Sequence, residues 1–186
     1  MTFTRIDTVA ALVLIDLQKG IVAMPTVHPA ADIVDRASRL ARAFRNRGMP
    51  VVLVNVAGMA PGRAEVKLNF SPPPGWTELV PELGPEPGDY TVTKLQVGAF
   101  YGTALEQILR RRRVTQVFIA GIATGSGVEA TARDAYDRGY NVALVVDAMT
   151  DRDADTHRHS VEKVFPKLGE TGTTQDVIEL LAATGA

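Results

Sequence analysis

Residues 9–16 read VAALVLID, an apolar run that ends in a carboxylate. Three further runs have the same character: VVLVNV at 51–56, VFIAG at 117–121 and VALVVD at 142–147. Short, almost continuously apolar runs rich in Val, Ile and Leu are typical of strands that are buried on both faces, as the strands of parallel sheets are. The four runs therefore predict the centre of a parallel β-sheet.

Segments with a helical period separate these runs. Residues 30–47 place Ile33, Leu40 and Phe44 on one apolar stripe, and Gly48 follows where a helix commonly ends. Because right-handed crossovers place the connecting helices on both faces of a parallel sheet, the alternation favours an α/β fold. We predict a three-layer α/β/α sandwich around a parallel, Rossmann-like sheet of about six strands.

The rest of the chain supplies shorter elements. Six prolines between 71 and 88 exclude a helix or a central strand, so this stretch is predicted to be a surface excursion. A short strand is predicted at 90–94, and helices are predicted at 103–112, 153–165 and 175–181. A Gly- and Thr-rich link joins the last two helices.

The amino-acid composition excludes several classes of function. The 186 residues are 46% hydrophobic and 22% charged, as in a globular protein, and we expect one folded domain over 1–186. A formal net charge of −1 gives no general attraction to nucleic acid or to an anionic membrane. The chain contains no cysteine, which excludes disulfides, thiolate metal sites and a thiol nucleophile.

The sequence gives no sign of export or membrane insertion. No apolar run approaches the roughly 20 residues of a membrane helix. The start, MTFTRID, lacks the basic and then apolar pattern of a signal peptide. We therefore expect a cytoplasmic protein that acts on a small-molecule substrate and has no nucleic-acid or membrane partner.

Polar residues that end the predicted strands are the candidates for a ligand site, because open parallel sheets bind ligands at the carboxyl ends of their strands. Asp16 ends the first strand, Lys94 the third and Asp147 the fifth, and residues 121–127 follow the fourth. Burial would raise the pKa of Asp16 and a nearby Lys94 would lower it, so that Asp16 could carry a proton. The ordinary structural interpretations are a turn or helix cap for Asp16 and a solvated rim residue for Lys94.

Residues 121–140, GIATGSGVEATARDAYDRGY, pass from a buried strand through small residues into a helix. Small residues let the backbone approach a ligand, and the unpaired amides of a helix N-terminus suit a carboxylate or a developing oxyanion. Gly125, Gly127 and Ala130 also spell G-x-G-x-x-A, and Asp147 follows at a distance suited to a ribose contact. A dinucleotide site is the less favoured alternative, because that pattern normally occupies the first strand-to-helix turn of the sheet.

Three ordered stretches resemble the isochorismatase-like hydrolases, the superfamily that contains nicotinamidases, carbamoylsarcosine amidohydrolases and isochorismatases. They are ALVLIDLQKG with Asp16, TKLQVGAFYGTALEQILRRRRV with Lys94, and AGIATGSGVEATARDAYDRGYNVALVVDAM with Gly127. The resemblance spans nearly the whole chain and implies a parallel sheet with the strand order 3-2-1-4-5-6. It also implies a cis peptide between Ile122 and Ala123, and a homo-oligomer that is a dimer or a tetramer.

The resemblance places Gly127 where the amidase branch carries its nucleophilic cysteine, within G-V-A-T-N-x-C-V-E-x-T. Thioester chemistry is thereby excluded unless another nucleophile substitutes, and the hydroxyl of Ser126 is the neighbouring alternative. Isochorismatases also lack the cysteine, because hydrolysis of a vinyl ether needs a general acid and no protein nucleophile. On this resemblance Asp16 is the general acid, Lys94 holds the ionised reactant and Gly127 opens the pocket.

Further residues are expected to line the pocket, and backbone amides near Ala123 and Gly127 are expected to bind polar oxygens of the substrate. Within NVAGMAPGRAEV at 55–66, Arg63 is the only cation, so we expect a smaller or less charged substrate than isochorismate. The predicted substrate-binding residues are Gln18, Phe100, Tyr101, Ile122, Ala123, Thr124 and Ser126.

We expect neither a metal nor another cofactor. Nicotinamidases carry histidine ligands after the second strand, whereas residues 55–66 contain no histidine. His157 and His159 are two positions apart on a predicted helix and are interpreted as surface residues, and His28 is expected to stand alone. The alternative to an enzyme is a catalytically silent relative that uses the same pocket for binding or serves as an oligomeric scaffold.

Overall fold

The computed structural model describes residues 2–65 and 71–183. Within those ranges the strands are β1 Ala10–Ile15, β2 Val51–Val56, β3 Tyr90–Lys94, β4 Gln116–Ile122, β5 Asn141–Thr150 and β6 Gly169–Gly172. They form one parallel sheet with the order β3-β2-β1-β4-β5-β6. The predicted parallel sheet and its strand order are confirmed.

The helices connect these strands across the two faces of the sheet. In the described part of the chain they are α1 Lys19–Val22, α2 Ala30–Asn46, α3 Leu105–Arg111, α4 Glu129–Asp137, α5 Ala154–His159, α6 Phe165–Leu168 and α7 Thr174–Ala183. Short turns of 3-10 or π geometry lie at Pro81–Leu83, Thr124–Val128 and Ser160–Val164. None of the helices in the described ranges is both long and apolar enough to cross a bilayer.

Alternation along β1 divides the core into two layers. Leu12 and Leu14 belong to the apolar cluster that contains the inner faces of α2 and α7, whereas Val13 and Ile15 belong to the cluster that contains those of α3, α4 and α6. Full burial of such a side chain contributes about 2 kcal/mol to the free energy of unfolding. The three-layer α/β/α sandwich predicted from the apolar runs is therefore the observed architecture.

Two predictions about strands need correction. β5 does not end at Asp147 but continues to Thr150. The Gly- and Thr-rich link predicted before the last helix contains the edge strand β6. A Cβ at Gly169 would lie 2.0 Å from the carbonyl oxygen of Val142, so β6 depends on close backbone approach and carries no apolar run that a sequence pattern could reveal.

Candidate active site

Asp16 directly follows β1 and lies at the carboxyl edge of the sheet. Its backbone N–H donates to the carbonyl of Val54 at 2.9 Å, which extends the contact between β1 and β2 by one residue. Its φ of +53° is left-handed, a conformation that costs a non-glycine residue about 1–2 kcal/mol. The fold holds this buried carboxylate in an unfavourable backbone conformation, which is common at functional sites.

Lys94 is the last residue of β3 and reaches Asp16 across the end of the intervening strand β2. Its Nζ lies 2.8 Å from Asp16 Oδ2, and both side chains are almost completely buried. Nζ also donates to the carbonyl oxygens of Val97 at 2.8 Å and Gln96 at 3.2 Å. Because an ammonium group has three donors, these three acceptors satisfy all of them.

The two carboxylate oxygens of Asp16 have different surroundings. Oδ2 accepts from Lys94, whereas Oδ1 is buried and has no hydrogen-bond partner among the described residues. Burial raises the pKa of Asp16 from its usual 3.8 to about 6, against the smaller lowering effect of the Lys94 charge and hydrogen bond. A carboxyl group with this pKa is available in both protonation states near neutral pH, as a general acid or base must be.

Gly127 lies beside this ion pair, in the π-helical turn that follows β4. A Cβ at this position would lie 3.3 Å from Asp16 Oδ2, 3.5 Å from Lys94 Nζ and 3.0 Å from Ile15 Cγ2. Any side chain at 127 would therefore stand next to both charged groups, and the Ile15 side chain would have to shift slightly to admit it. Glycine leaves this space open.

A cavity of about 360 Å³ opens in front of these groups. Its wall includes the cis peptide between Ile122 and Ala123, as the resemblance implies. Asp16, Lys94 and Arg152 are the charged residues among the described side chains of the lining. Most of the remaining wall is apolar, and its larger side chains are Ile21, Met24, Val56, Met59 and Val97.

The structure brings six of the ten predicted site residues together at this cavity. They are Asp16, Lys94, Ile122, Ala123, Ser126 and Gly127. The other four, Gln18, Phe100, Tyr101 and Thr124, do not line it. Each of these four has a different environment.

Gln18 is fully buried and connects backbone segments. Its Nε2 donates to the carbonyl oxygens of Val56 at 3.1 Å and Trp76 at 3.2 Å. Its Oε1 accepts from the N–H of Val56 at 2.7 Å. These bonds tie the segment after β1 to the end of β2, so the side chain supports the edge on which Asp16 lies without entering the cavity.

Phe100 and Tyr101 lie outside the cavity for opposite reasons. Phe100 is buried in the core, where the Arg138 guanidinium lies 4.7 Å from the centre of its ring. Tyr101 is 77% exposed, and its carbonyl oxygen accepts a hydrogen bond from the Gln96 side chain. Neither aromatic ring is placed to contact a ligand at Asp16.

Thr124 is buried behind the cavity wall, next to a pair of histidines. Its Oγ1 lies 2.8 Å from Nδ1 of His157, and the rings of His157 and His28 pack edge to face with centres 4.9 Å apart. The expectation that His28 stands alone is therefore wrong, as is the assignment of His157 to the surface. Burial and the nearby His28 lower the pKa of His157, and Asp151 opposes this shift.

Asp147 does not lie at the carboxyl edge. Its Oδ1 accepts from the N–H of Thr174 at 2.7 Å and from its hydroxyl at 2.9 Å, and its Oδ2 lies 3.7 Å from Nε of Arg36. The carboxylate thus anchors the start of α7, and the ribose contact required by a dinucleotide site is not available. In the described ranges, no three His, Asp or Glu side chains are grouped closely enough to hold a metal ion.

Arg152 is the charged lining residue that sequence analysis missed. It lies two residues beyond the end of β5, at the same edge of the sheet as Asp16 and Lys94. The rule that ligands bind at the carboxyl ends of strands identifies this residue once β5 is known to end at Thr150. The sequence does not reveal this residue, because the polar Asp147 resembles the end of the strand.

The fold and the site together define a doubly wound α/β protein with its ligand cavity at the carboxyl edge of a parallel sheet. Residues 10–176 match the isochorismatase domain. The chain belongs to the isochorismatase family, as the three sequence stretches indicate.

Similar proteins match this chain over nearly their whole length. The uncharacterized isochorismatase family protein YwoC of Bacillus subtilis (strain 168) is 40% identical over 177 residues, which cover 91% of this chain and 92% of YwoC. The uncharacterized family protein YecD of Escherichia coli O157:H7 is 37% identical over 179 residues, 92% of this chain and 95% of YecD. The solved structure of an isochorismatase family protein from Burkholderia thailandensis has a TM-score of 0.92 at 40% identity, and covers 96% of this chain and 98% of its own.

Proposed function

We propose that the protein is an isochorismatase-family hydrolase that acts without a covalent intermediate, with Asp16 as the general acid. The observation that carries this proposal is the buried Asp16–Lys94 pair at a cavity where the adjacent position, 127, is glycine. The pair offers a proton donor and a fixed cation, but the chain has no thiol. The reaction that suits these groups is the hydrolysis of a vinyl ether such as isochorismate, which requires acid catalysis and water.

In this reaction the protonated Asp16 carboxyl transfers its proton to the terminal carbon of the enol ether. The electron pair of the C=C bond forms the new C–H bond, and the adjacent carbon becomes an oxocarbenium ion. Water adds to that carbon and loses a proton, which restores the acid form of Asp16. The hemiketal then collapses with cleavage of the C–O bond, giving an alcohol and a ketone, which is pyruvate when the substrate is isochorismate.

The surroundings of Asp16 support this role. Lys94 holds the carboxyl group through Oδ2, while Oδ1 is buried and has no partner among the described residues. A pKa of about 6 keeps a fraction of the group protonated near neutral pH. Lys94 also stabilises the carboxylate that forms when the proton is transferred.

Ser126 is the alternative nucleophile, and its surroundings favour a passive role. Its side chain is at the cavity, but its hydroxyl forms no hydrogen bond with a base among the described residues. A serine hydroxyl without such a base is a weak nucleophile. We therefore assign Ser126, with Ile122 and Ala123, to the wall that contacts the substrate.

The test is the release of pyruvate from isochorismate by the wild-type protein and by Asp16→Asn. Asparagine keeps the size of the side chain and can accept from Lys94, but it has no carboxyl proton to transfer. Release that is lost in Asp16→Asn while the circular dichroism spectrum is unchanged supports the proposal. Equal release by both proteins rejects Asp16 as the acid, and no release by the wild type rejects isochorismate as the substrate and favours the catalytically silent relative.

The remaining expectations are part of the same proposal. We propose a single domain over 1–186 that functions in the cytoplasm as a dimer or tetramer of identical chains, without a cofactor. Light scattering coupled to size-exclusion chromatography measures the oligomeric state directly. Activity of protein purified in the presence of a chelator tests whether a metal ion is required.

A further inference from the structure

Two histidines from distant parts of the chain meet beside the cavity. His28 precedes α2 and is exposed, whereas His157 lies in α5 and is half-buried. The centres of their rings are 4.9 Å apart, in an edge-to-face arrangement. This contact is favourable between neutral rings, because the edge of an aromatic ring is positive and its face is negative. The proposed function uses neither of these histidines.

Each ring lies against a threonine hydroxyl at the carboxyl edge of the sheet. Nδ1 of His157 is 2.8 Å from Oγ1 of Thr124, the first residue of the turn that contains Gly127. Nδ1 of His28 is 3.2 Å from Oγ1 of Thr150, the last residue of β5, and the backbone N–H of His28 donates to the same hydroxyl at 3.0 Å. The two histidines thus connect the segment before α2 to the end of β5 and to the turn after β4.

The segments that the histidines connect carry two parts of the cavity wall. Segment 23–28 and the turn 124–128 each contribute two lining residues, which are Met24, Thr26, Ser126 and Gly127. Between the two segments, the carbonyl of Asp151 accepts from the N–H of Val27 at 2.8 Å, and its carboxylate accepts from the N–H of Gly125 at 2.7 Å. A change in the contact between the histidines therefore acts on both parts of the wall.

The charges around the pair come mainly from Asp151 and from the histidines themselves. Burial, and next the nearby His28, lower the pKa of His157, and the carboxylate of Asp151 opposes this shift. Residues 23–27 and 124–128 contain no titratable side chain. The other titratable side chains of residues 150–159 and of the first turn of α2 are exposed, and they are Asp32, Arg152, Asp153, Asp155, Arg158 and His159.

One proton is compatible with this arrangement, but two are not. A protonated ring still donates to the hydroxyl beside it, and its charged edge is attracted to the face of a neutral ring. Two charged rings repel each other across 4.9 Å, where His157 is partly shielded from solvent. Because the pKa of His157 is lowered in the folded protein, the contact is fully stabilising above the usual histidine pKa of about 6.5 and weakens as the pH falls below it.

We propose that His28 and His157 form a proton-controlled latch between two parts of the cavity wall. Near neutral pH the rings stay in contact and hold segment 23–28 beside the turn 124–128. In weakly acidic solution both rings are charged, the contact is lost, and the segment that carries Met24 and Thr26 opens locally. The cavity is then complete only near neutral pH. This inference goes beyond the proposed function, because it concerns the wall of the cavity whatever ligand the cavity binds.

Amide exchange measures the opening of this segment. The N–H groups of Val27 and His28 donate to Asp151 and Thr150, and they exchange with solvent when these bonds open. Exchange followed by NMR, divided by the intrinsic rate at each pH, gives their protection factors. In the wild-type protein both factors are expected to be at least about fivefold lower at pH 5 than at pH 7.5, in step with the titration of the His28 and His157 imidazole signals.

Glutamine variants separate the latch from other effects of acid. His28→Gln and His157→Gln each remove one titrating ring but keep a side chain that can hydrogen-bond to the threonine, so their protection factors should change by less than about twofold between the two pH values. His159→Gln removes an exposed histidine of the same helix and should keep the wild-type pH dependence. Equal protection of the wild type at both pH values, or a wild-type pH dependence in either glutamine variant, overturns the proposal.

A latch that glutamine cannot close is covered by the wild type alone. If both glutamine variants are already unprotected at pH 7.5, the midpoint of the wild-type loss of protection decides. A midpoint that coincides with the titration of the His28 or His157 imidazole supports the latch, and one that coincides with neither overturns it.

Asp16 titrates in the same pH range, with a pKa of about 6, and its variant separates this inference from the proposed function. Asp16→Asn should keep the pH dependence of the Val27 and His28 amides while it loses pyruvate release. Loss of that pH dependence in Asp16→Asn would assign it to Asp16 and overturn the latch. If the wild-type amides show no pH dependence but Asp16→Asn loses turnover, the latch falls and the proposed function stands. If the pH dependence is present but the wild type releases no pyruvate, the proposed function falls and the latch stands.

Discussion

Two ion pairs are largely buried in the part of the chain that the structure describes: Asp16–Lys94 at the carboxyl edge of the sheet, and Arg45–Asp89 between the end of α2 and the start of β3. Arg45 donates to both oxygens of Asp89, from Nε to Oδ1 at 3.0 Å and from Nη2 to Oδ2 at 2.7 Å. The N–H of Glu86 adds a bond of 2.9 Å to Oδ2. Asp16, by contrast, accepts from Lys94 through Oδ2 only, and its Oδ1 has no partner among the described residues.

The kind of cation explains this difference. A guanidinium is a planar fork that matches both oxygens of a carboxylate, whereas an ammonium is a point charge that binds one of them. Arg45 therefore occupies both carboxylate oxygens of Asp89 and links α2 to the start of β3. Lys94 fixes Asp16 through one oxygen and leaves the other without a partner among the described residues, and the pair borders a cavity with room for a ligand.

The largest expected effect is on catalytic activity, which should depend on Asp16 and not on Asp89. Asp16→Asn should lower the rate of pyruvate release about hundredfold or more, the usual contribution of a general acid. Asp89→Asn should change the rate by less than about threefold, because both oxygens of Asp89 serve the contact with Arg45. Steady-state kinetics with isochorismate measures both, and a similar loss in the two variants would contradict the distinction between them.

The next effect is on the free energy of unfolding, to which the buried Arg45–Asp89 pair should contribute more than a surface pair. Asp89→Ala leaves Arg45 in a mostly buried place without its main partner, and removal of one member of a buried pair costs about 3 kcal/mol of the free energy of unfolding. Urea denaturation followed by circular dichroism measures this cost. Asp155→Ala is the matched control, because Asp155 pairs with Arg158 on the surface and such pairs contribute little. Equal stability of the two variants would show that the Arg45–Asp89 pair is not structural.

The pH dependence tests the environment of Asp16 directly. A general acid works in its protonated form, so a pKa of about 6 predicts that the rate falls about tenfold per pH unit above about pH 6. Lys94 lowers the pKa of Asp16 against the effect of burial, and Lys94→Met should therefore move the titration to higher pH. The ¹³C signal of the Asp16 carboxyl, followed by NMR from pH 4 to pH 9, measures the shift in both proteins. A titration that moves to lower pH in Lys94→Met would contradict the assigned causes.

The central strands and the layers of the fold could be predicted because burial on both faces leaves a continuous apolar run in the sequence. β6 could not, because the four residues of GETG hold their place by backbone pairing with β5. The end of β5 was misplaced because Asp147 looks like a strand terminus, although its charge is satisfied by Thr174 from α7. That contact is 27 residues away in sequence, and no local pattern reveals it.

The candidate site shows the same limit at the level of side chains. Strand ends predicted which residues meet at the edge of the sheet, and Asp16, Lys94 and Gly127 do meet there. The direction of a side chain beyond the strand end depends on the loop that follows, so Gln18 was placed in the pocket although it binds the backbone of Val56. A polar residue near a strand end thus indicates the edge of the sheet at which the site lies. The conformation of the following loop decides which side chains enter the cavity.

The smallest effect tests the open space beside the Asp16–Lys94 pair. In the double variant Gly127→Cys with Asp16→Asn, the thiol faces the Lys94 ammonium without a competing carboxylate, and its pKa should fall from about 8.5 to about 7. At pH 7 the thiolate fraction then rises about fifteenfold while the nucleophilicity of the thiolate falls about fivefold, so alkylation should be about threefold faster than for an ordinary thiol.

Iodoacetamide labelling followed by mass spectrometry measures this rate, and Ser126→Cys with Asp16→Asn is the control, because residue 126 lines the same cavity one position away. An equal or slower rate at position 127 would show that this position does not face the ammonium. The faster rate would establish that glycine at 127 leaves unfilled a position where the Lys94 ammonium can activate a nucleophile. Lys94 would then differ from Arg45 in having a position beside it where its charge can activate a neighbouring group, in addition to the different hydrogen bonding of the two pairs.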